Sequence, residues 1–283
     1  MMQRFAKRKS RSRLEIESQA ELMYMCAADA THTRLPRAMH RHEDCIEILF
    51  IREGSGSHII DGRQYQTRKG DVLIYNSGVL HDESASPYAD MSVFCCAFRN
   101  LKLKGLGRNR ITEPGDSVVL QSGTLYAEFD QLLQVLYSRV CWEHRYGGEF
   151  CNQLLQALIV LVLSLIRDNE PSVASEHFDI GQQVKNYIDE HYREAIGLKS
   201  MAADMRISHY YLAHKFKAAV GCSPIQYLIR RRIGEAQSLL INTDLSATEI
   251  ATMVGYDNSN YFITAFKKVV GITPSNYRVQ CLR

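Results

Sequence analysis

The sequence predicts a multidomain α and β chain: a small β-barrel with a helical pair, followed by an all-α domain built from one unit used twice. Three observations carry this. Short β-rich runs separated by turn signals fill the chain from about Leu14 to Arg110. Two helical patterns follow, within residues 123–145 and 149–167. From Asp179 the text is helical to the end, and one twelve-residue pattern occurs there twice, as FKAAVGCSPIQY at 216–227 and FKKVVGITPSNY at 266–277. Both copies fit Phe-Lys-x-x-Val-Gly-x-[Ser/Thr]-Pro-x-x-Tyr. In each, Phe and Val share one helix face, Gly stops the helix and Pro starts the next.

Composition sets the bounds. A chain of 283 residues, 46% apolar and 23% charged, has the length and make-up of two globular domains. Its net charge of +3 is unevenly spread. Residues 1–13 hold six bases and no acid, residues 14–177 sum to −7, and residues 178–283 sum to +4, so the basic part coincides with the repeated unit. The tail 1–13 reads either as a solvated, disordered segment or as a nucleic-acid contact. Eight cysteines show no CxxC pair or metal-finger spacing, and several lie in apolar runs, which predicts reduced thiols and a cytoplasmic protein. Acids in LEIESQAELMYM exclude a signal-peptide core there. The apolar run Leu154–Ile166 is shorter than a membrane span, so no membrane partner is expected.

The elements of residues 14–122 follow from their text. CIEILFIRE, GSHIID, RQYQT, DVLIY and MSVFCCAF read as strands, and Asp61-Gly62 between SHII and RQYQT is a two-residue hairpin turn. Strands at this spacing imply a sandwich or small barrel. Within them, His40-x-His42, then Glu47, then Gly54 form HxH-x4-E-x6-G. Gly70, Asn76-Ser77-Gly78 and His81 form a second block. Strand period two puts His40 and His42 on one face. Glu47 lies at odd spacing, so a turn near Glu43-Asp44 is required to bring it inward. The two blocks resemble the paired motifs of the cupin fold, with Asn76 where proline is usual. That resemblance implies a divalent metal held by His40, His42, Glu47 and His81. Three imidazoles and a carboxylate suit zinc, iron, manganese or nickel. The same residues also suit an effector pocket for a small molecule, sugars among the classes, or can satisfy one another structurally.

In 123–145, Leu125, Phe129, Leu132, Leu133 and Leu136 fall at helical spacing. Residues 149–167 are apolar nearly all round, so that helix is covered on more than one side, either within the chain or by a second copy in a homodimer. Residues 169–177 read as a linker. In the last part, 180–193 is a helix with Val184, Ile188 and Tyr192 inward. Leu198–Met205, a turn at Arg206-Ile207, and His209–Val220 capped by Ser208 form a helix-turn-helix unit. Pro224–Ile241 is one long helix. Ser246–Val254, the turn Gly255-Tyr256-Asp257 and Asn258–Val270 form the second unit, with one more residue between its helices. The connecting helix, about 27 Å long at 1.5 Å per residue, is of the size that holds two recognition helices in major grooves about 34 Å apart. Double-stranded DNA is the expected partner.

Residues 178–283 resemble the DNA-binding domain of the AraC/XylS family of bacterial transcription regulators, most densely over IATMVGYDNSNYFITAFKKVVGITPSNYR. Ile250, Ala251, Gly255, Tyr256, Tyr261, Phe262, Phe266, Lys267, Gly271, Pro274, Tyr277 and Arg278 carry the likeness. With a cupin-like sensor ahead of it, the resemblance spans nearly the whole chain. Leu212, Phe216, Val220, Phe262, Phe266 and Val270 repeat every four residues as core. Base contacts are therefore expected on the opposite faces, at His209, Tyr210, Ala213 and His214, and at Asn258, Asn260, Tyr261 and Thr264. The resemblance favours Tyr210, His214, Asn260 and Thr264. None is arginine, so bidentate guanine reading is not expected there. Lys215, Lys217, Lys267 and Lys268 are expected on phosphates. Arg230, Arg231 and Arg232 fit either phosphate binding or a face that is solvated or paired between domains. The resemblance implies a non-enzyme: an effector-controlled regulator that activates through RNA polymerase. The rival from another class is a metal-binding cupin sensor or metal-dependent cupin enzyme, such as a dioxygenase or isomerase, with helices appended. A third reading is a ligand-free regulator whose barrel is a scaffold.

Overall fold

A computed structural model of the chain describes residues 16–29, 37–83, 91–113, 116–168 and 180–281. The basic tail 1–13 and the linker 169–177 lie outside the described residues. The first part is strand-built: β1 (Ile16–Ser18), β2 (Glu21–Ala28), β3 (Arg37–His40), β4 (Ile46–Glu53), β5 (Ser55–Ile60), β6 (Arg63–Arg68), β7 (Asp71–Tyr75), β8 (His81–Glu83), β9 (Ser92–Arg99), β10 (Lys102–Leu103) and β11 (Val119–Gln121). A five-stranded sheet of order β11-β7-β4-β9-β2 faces a four-stranded sheet of order β3-β8-β5-β6, and β1 pairs with β10. Asp61 and Gly62 turn with φ of 48° and 75°, the left-handed pair that a two-residue hairpin needs, and Ile60 pairs with Arg63 across it.

Strand β4 shows why its text is a near-continuous apolar run rather than an alternation. Ile46, Ile48 and Phe50 face out against helices, while Leu49 and Ile51 face into the barrel with Leu73, Tyr75 and Cys95. Both faces are buried, so period two survives only as a choice between two apolar sides. Glu47 shares the inner parity, after the bend at Glu43-Asp44.

The outer helices are α1 (Tyr126–Arg139) and α2 (Gly147–Asp168). The helical pattern of 123–145 is broken after Arg139: Cys141–Tyr146 form an exposed turn in which Trp142 stacks on His144 at 4.5 Å. Helix α2 corrects the reading of its apolar run. Starting at Gly147, it has 21 residues long and apolar enough to cross a membrane by length and composition. Cys151, Leu155, Leu158, Ile159, Val162 and Leu165 form one stripe of the helix, buried against α1 and the five-stranded sheet. Its remaining face, with Leu154, Ala157, Val160 and Leu161, lines an open groove with Leu132 and Val135 of α1.

The last part comprises α3 (Ile180–His191), α4 (Leu198–Asp204), α5 (His209–Val220), α6 (Pro224–Asn242), α7 (Ala247–Met253), α8 (Ser259–Val270) and α9 (Pro274–Cys281). The repeat is repeated chemistry. Gly221 and Gly271 end α5 and α8 with φ of 84° and 93°, each amide bonding the carbonyl four residues back. Pro224 and Pro274 open the next helices, and Ser223 and Gln226 close a capping box on α6. Leu212, Phe216 and Val220 pack in one core, and Phe262, Phe266 and Val270 in another.

Candidate nucleic-acid interface and barrel tetrad

The faces opposite those cores are open. On α5, Tyr210 is 78% exposed and stacks near His209 at 4.1 Å; His214, Lys215 and Lys217 are exposed, and Ala213 is half-buried. On α8, Asn260, Tyr261, Thr264, Lys267 and Lys268 are exposed. Asn258 is engaged otherwise: its Oδ1 accepts the amides of Asn260 and Tyr261 at 2.9 and 3.1 Å, the N-cap of α8. The two short helices of each unit are joined by tight backbone, with φ of 54° at Arg206 in the first and 91° at Gly255 in the second. A Cβ at Gly255 would lie 2.7 Å from the Arg193 carbonyl oxygen, so the second turn abuts the end of α3.

The arginine run is taken up by the fold. Arg230 pairs with Asp82 of the barrel at 3.3 Å. Arg231 bonds Glu235 at 3.2 Å and lies 4.1 Å over the Tyr192 ring. Arg232 donates to the carbonyls of Tyr192 and Glu194, both at 2.6 Å. Pairing between domains is seen for Arg230 alone; Arg231 and Arg232 are taken up within the helical domain.

In the barrel, His40, His42, Glu47 and His81 converge, with one donor atom from each lying within 4.8 Å of the others. His40 Nδ1 lies 3.0 Å from the Ala38 carbonyl oxygen, and His81 Nδ1 2.9 Å from that of Val79. Carbonyls only accept, so both Nδ1 atoms carry the proton and both Nε2 atoms turn toward the cluster. His81 Nε2 is 3.1 Å from Glu47 Oε2, and His42 Nε2 3.3 Å from the same oxygen. Buried His40 Nε2 has no hydrogen-bond partner. Burial lowers His40 well below the usual imidazole range, helped by His81 and Arg37. Burial works to raise Glu47, but the rings of His42 and His81 outweigh it and hold the carboxyl well below its ordinary value.

Side chains that the motif does not reveal complete the surroundings. Tyr24 donates to Glu47 Oε1, Tyr75 stacks on His81 at 3.9 Å, and Cys95 Sγ lies 3.8 Å from Glu47 Oε1. Strand pairing supplies them: Tyr75 sits opposite Glu47 on β7, and Cys95 belongs to the inner parity of β9. Asn76, in the place where proline is usual, has its own role. It accepts from the Ile111 amide at 2.8 Å and donates to Thr112 Oγ1 at 2.7 Å, fastening the 109–112 segment under the barrel.

The four donors fit a divalent ion. Donors around zinc at about 2.0–2.2 Å stand roughly 3–4 Å apart, so small inward movements close the set. The Nδ1–H···O=C bonds of His40 and His81 are the outer contacts that orient imidazole ligands.

A barrel with an inward polar site, joined to paired helix-turn-helix units with open outer faces, defines a class: DNA-binding regulators with a ligand-binding domain. Residues 22–159 match the family described as AraC-like ligand binding domain, and residues 201–280 match a helix-turn-helix domain. The chain belongs to the AraC family of transcription regulators. It is 29% identical over 255 residues to the uncharacterized HTH-type transcriptional regulator YdiP of Escherichia coli (strain K12), covering 85% of this chain and 80% of that protein. It is 26% identical over 241 residues to the arabinose operon regulatory protein of Salmonella typhimurium, covering 82% and 83%. The C-terminal domain of AraT, a response regulator from Geobacillus stearothermophilus, is 37% identical with a TM-score of 0.36, covering 38% of this chain and 88% of that one.

Proposed function

We propose that this chain activates transcription from an asymmetric site of about two turns of DNA, under the control of an effector bound at the barrel tetrad. One observation carries it: two units with the same four-residue core spacing and the same left-handed glycine C-cap stand at either end of the 19-residue helix α6, and their outward stripes differ in sequence. Tyr210 and His214 read one half-site, Asn260 and Thr264 the other, with Lys215, Lys217, Lys267 and Lys268 on phosphates. Asn260 is the adenine reader of the set. The RhaR relatives, named transcriptional activators, support activation rather than repression; contact with RNA polymerase is the route we propose for it. Two copies associate through the apolar groove of α1 and α2. Sequencing the DNA that the full chain holds in cells tests this. One recurrent bipartite motif is expected, with discrimination relaxed in one half on Tyr210→Ala and in the other on Asn260→Ala; a uniform distribution would refute it.

For the effector site, a divalent metal is the reading the tetrad favours. With both Nδ1 protons committed to carbonyls, the lone pair of His81 Nε2 faces the Glu47 carboxylate at 3.1 Å. Two acceptors at that distance need a cation between them, either a proton on His81 or a metal ion shared by the set. Metal analysis of the purified protein decides: one ion per chain, absent in His42→Ala, supports it, and none in either leaves a polar small molecule as the effector. The likeness to an arabinose operon regulatory protein supports trying sugars first among those.

A further inference from the structure

Strand β2 is an edge of the five-stranded sheet and runs antiparallel to β9, with Cys26 directly opposite Cys95. The two residues share the inner side of the sheet. Tyr24, two residues before Cys26, reaches Glu47 inside the barrel, and Ala28, two residues after it, packs with the inner cluster to which Cys95 belongs. Residues directly opposite in an antiparallel pair have Cα atoms about 4.5 or 5.5 Å apart. A disulfide spans about 4.4–6.8 Å between Cα atoms. The backbone therefore already holds these two cysteines at bonding separation.

Their surroundings give them different parts. Cys26 is exposed, whereas Cys95 is buried with its Sγ 3.8 Å from Glu47 Oε1. An exposed thiol meets an oxidant first, and a buried neighbour within reach closes the bond. Cys96, next in the chain to Cys95, is no rival. It turns to the opposite side of the sheet, into the outer cluster with its register partner Met25, and burial pushes its thiol far up.

We propose that Cys26 and Cys95 are a reversible redox modification site whose oxidant is a hydroperoxide, and that their disulfide is felt at the barrel tetrad. The Cys26 sulfur attacks the nearer peroxide oxygen and the O–O bond breaks. The thiol proton goes to the departing oxygen, which leaves as an alcohol or water, and Cys26 becomes a sulfenic acid. The Cys95 sulfur then displaces that hydroxyl, which takes the Cys95 proton and leaves as water. Two electrons have passed from the sulfur pair to the peroxide, and a dithiol returns both cysteines to thiols. Closing the bond turns the Cys95 sulfur from Glu47 toward β2. His42 and His81 both lie against Oε2 of that carboxylate, so the change reaches both rings.

The full chain, reduced and then treated with hydrogen peroxide, tests the pairing by peptide mapping. A Cys26–Cys95 linked peptide is expected, reversed by dithiothreitol and lost in Cys26→Ser, a like-sized change at an exposed position. Cys141→Ser, at another exposed thiol, should form the link as the parent does. Cys26 overoxidised or joined to another cysteine with no link to Cys95 would overturn the pairing, as would both thiols left intact. Nitrogen-15 resonances of the His42 and His81 rings read the second half. They should move on oxidation of the parent, return on reduction and stay in place in Cys26→Ser. Resonances unmoved while the linked peptide forms would overturn the passage to the tetrad.

Discussion

Arg232→Met separates two roles that a row of arginines can have. In the structure Arg232 is nearly buried, donating at 2.6 Å to the carbonyls of Tyr192 and Glu194, with its guanidinium 5.1 Å from the Tyr256 ring. It joins the end of α3, which belongs to the first unit, to the turn of the second. Each hydrogen bond from a charged donor to a buried carbonyl contributes about 1.5 kcal/mol or more net, and both carbonyls lose their partner in the variant. Relief of the guanidinium's own burial offsets part of this. A loss of about 2–3 kcal/mol remains, which for a chain of this size lowers Tm by roughly 5–10 °C. Calorimetry reads the shift, and a salt titration of DNA binding reads the other role. A stable variant whose salt slope drops by about one would show that Arg232 is on a phosphate and that the pin between units is not what it does.

Phe262→Ala removes a fully buried ring from the second unit's core and should cost about 3–5 kcal/mol, read as loss of cooperative helical melting; a cost below about 1 kcal/mol would mean that the core is elsewhere. Asn258→Ala and Asn260→Ala should divide cleanly: the first loses about 1 kcal/mol of stability with its cap, and the second leaves Tm in place but loses about 1–3 kcal/mol of discrimination at one base pair. Val160→Lys, at a half-exposed position on the α1–α2 groove, should shift the chain from dimer to monomer in sedimentation without lowering Tm. An unchanged sedimentation coefficient would remove that groove as the contact.

Much of this was legible because it is local. Gly221 and Gly271 need left-handed backbone, Pro224 and Pro274 sit at first helical positions, and the four-residue spacing from Leu212 to Val220 survives packing unchanged. The tetrad was legible for a similar reason: its spacing reflects strand parity plus one bend at Glu43-Asp44. The contacts that hold the two parts together were not. Ala38 and Gln237 are 199 positions apart, and no periodicity announces that a strand amide will find that side chain. The arginine run was ambiguous for the same reason, since its partners lie on other elements. The length of α2 was under-read because Gly147 and Gly148 look like punctuation but lie inside the helix. Asn76 in the position of a proline marks a fastening of the 109–112 segment whose partners follow more than thirty positions later.

Strands β3 and β8 are each shared between two customers. His40 turns inward to the tetrad while its neighbour Met39 is packed among the helices; His81 turns inward while its neighbour Asp82 holds Arg230. Successive residues of a strand point to opposite sides, so each of these short strands works as a see-saw with a tetrad imidazole on one arm and a docking contact on the other. A shift of a few tenths of an ångström that improves the fit on the inner arm arrives on the outer arm with no intervening side chain to absorb it. Chemistry inside the barrel and grip outside it thus share one backbone, and neither can be retuned alone.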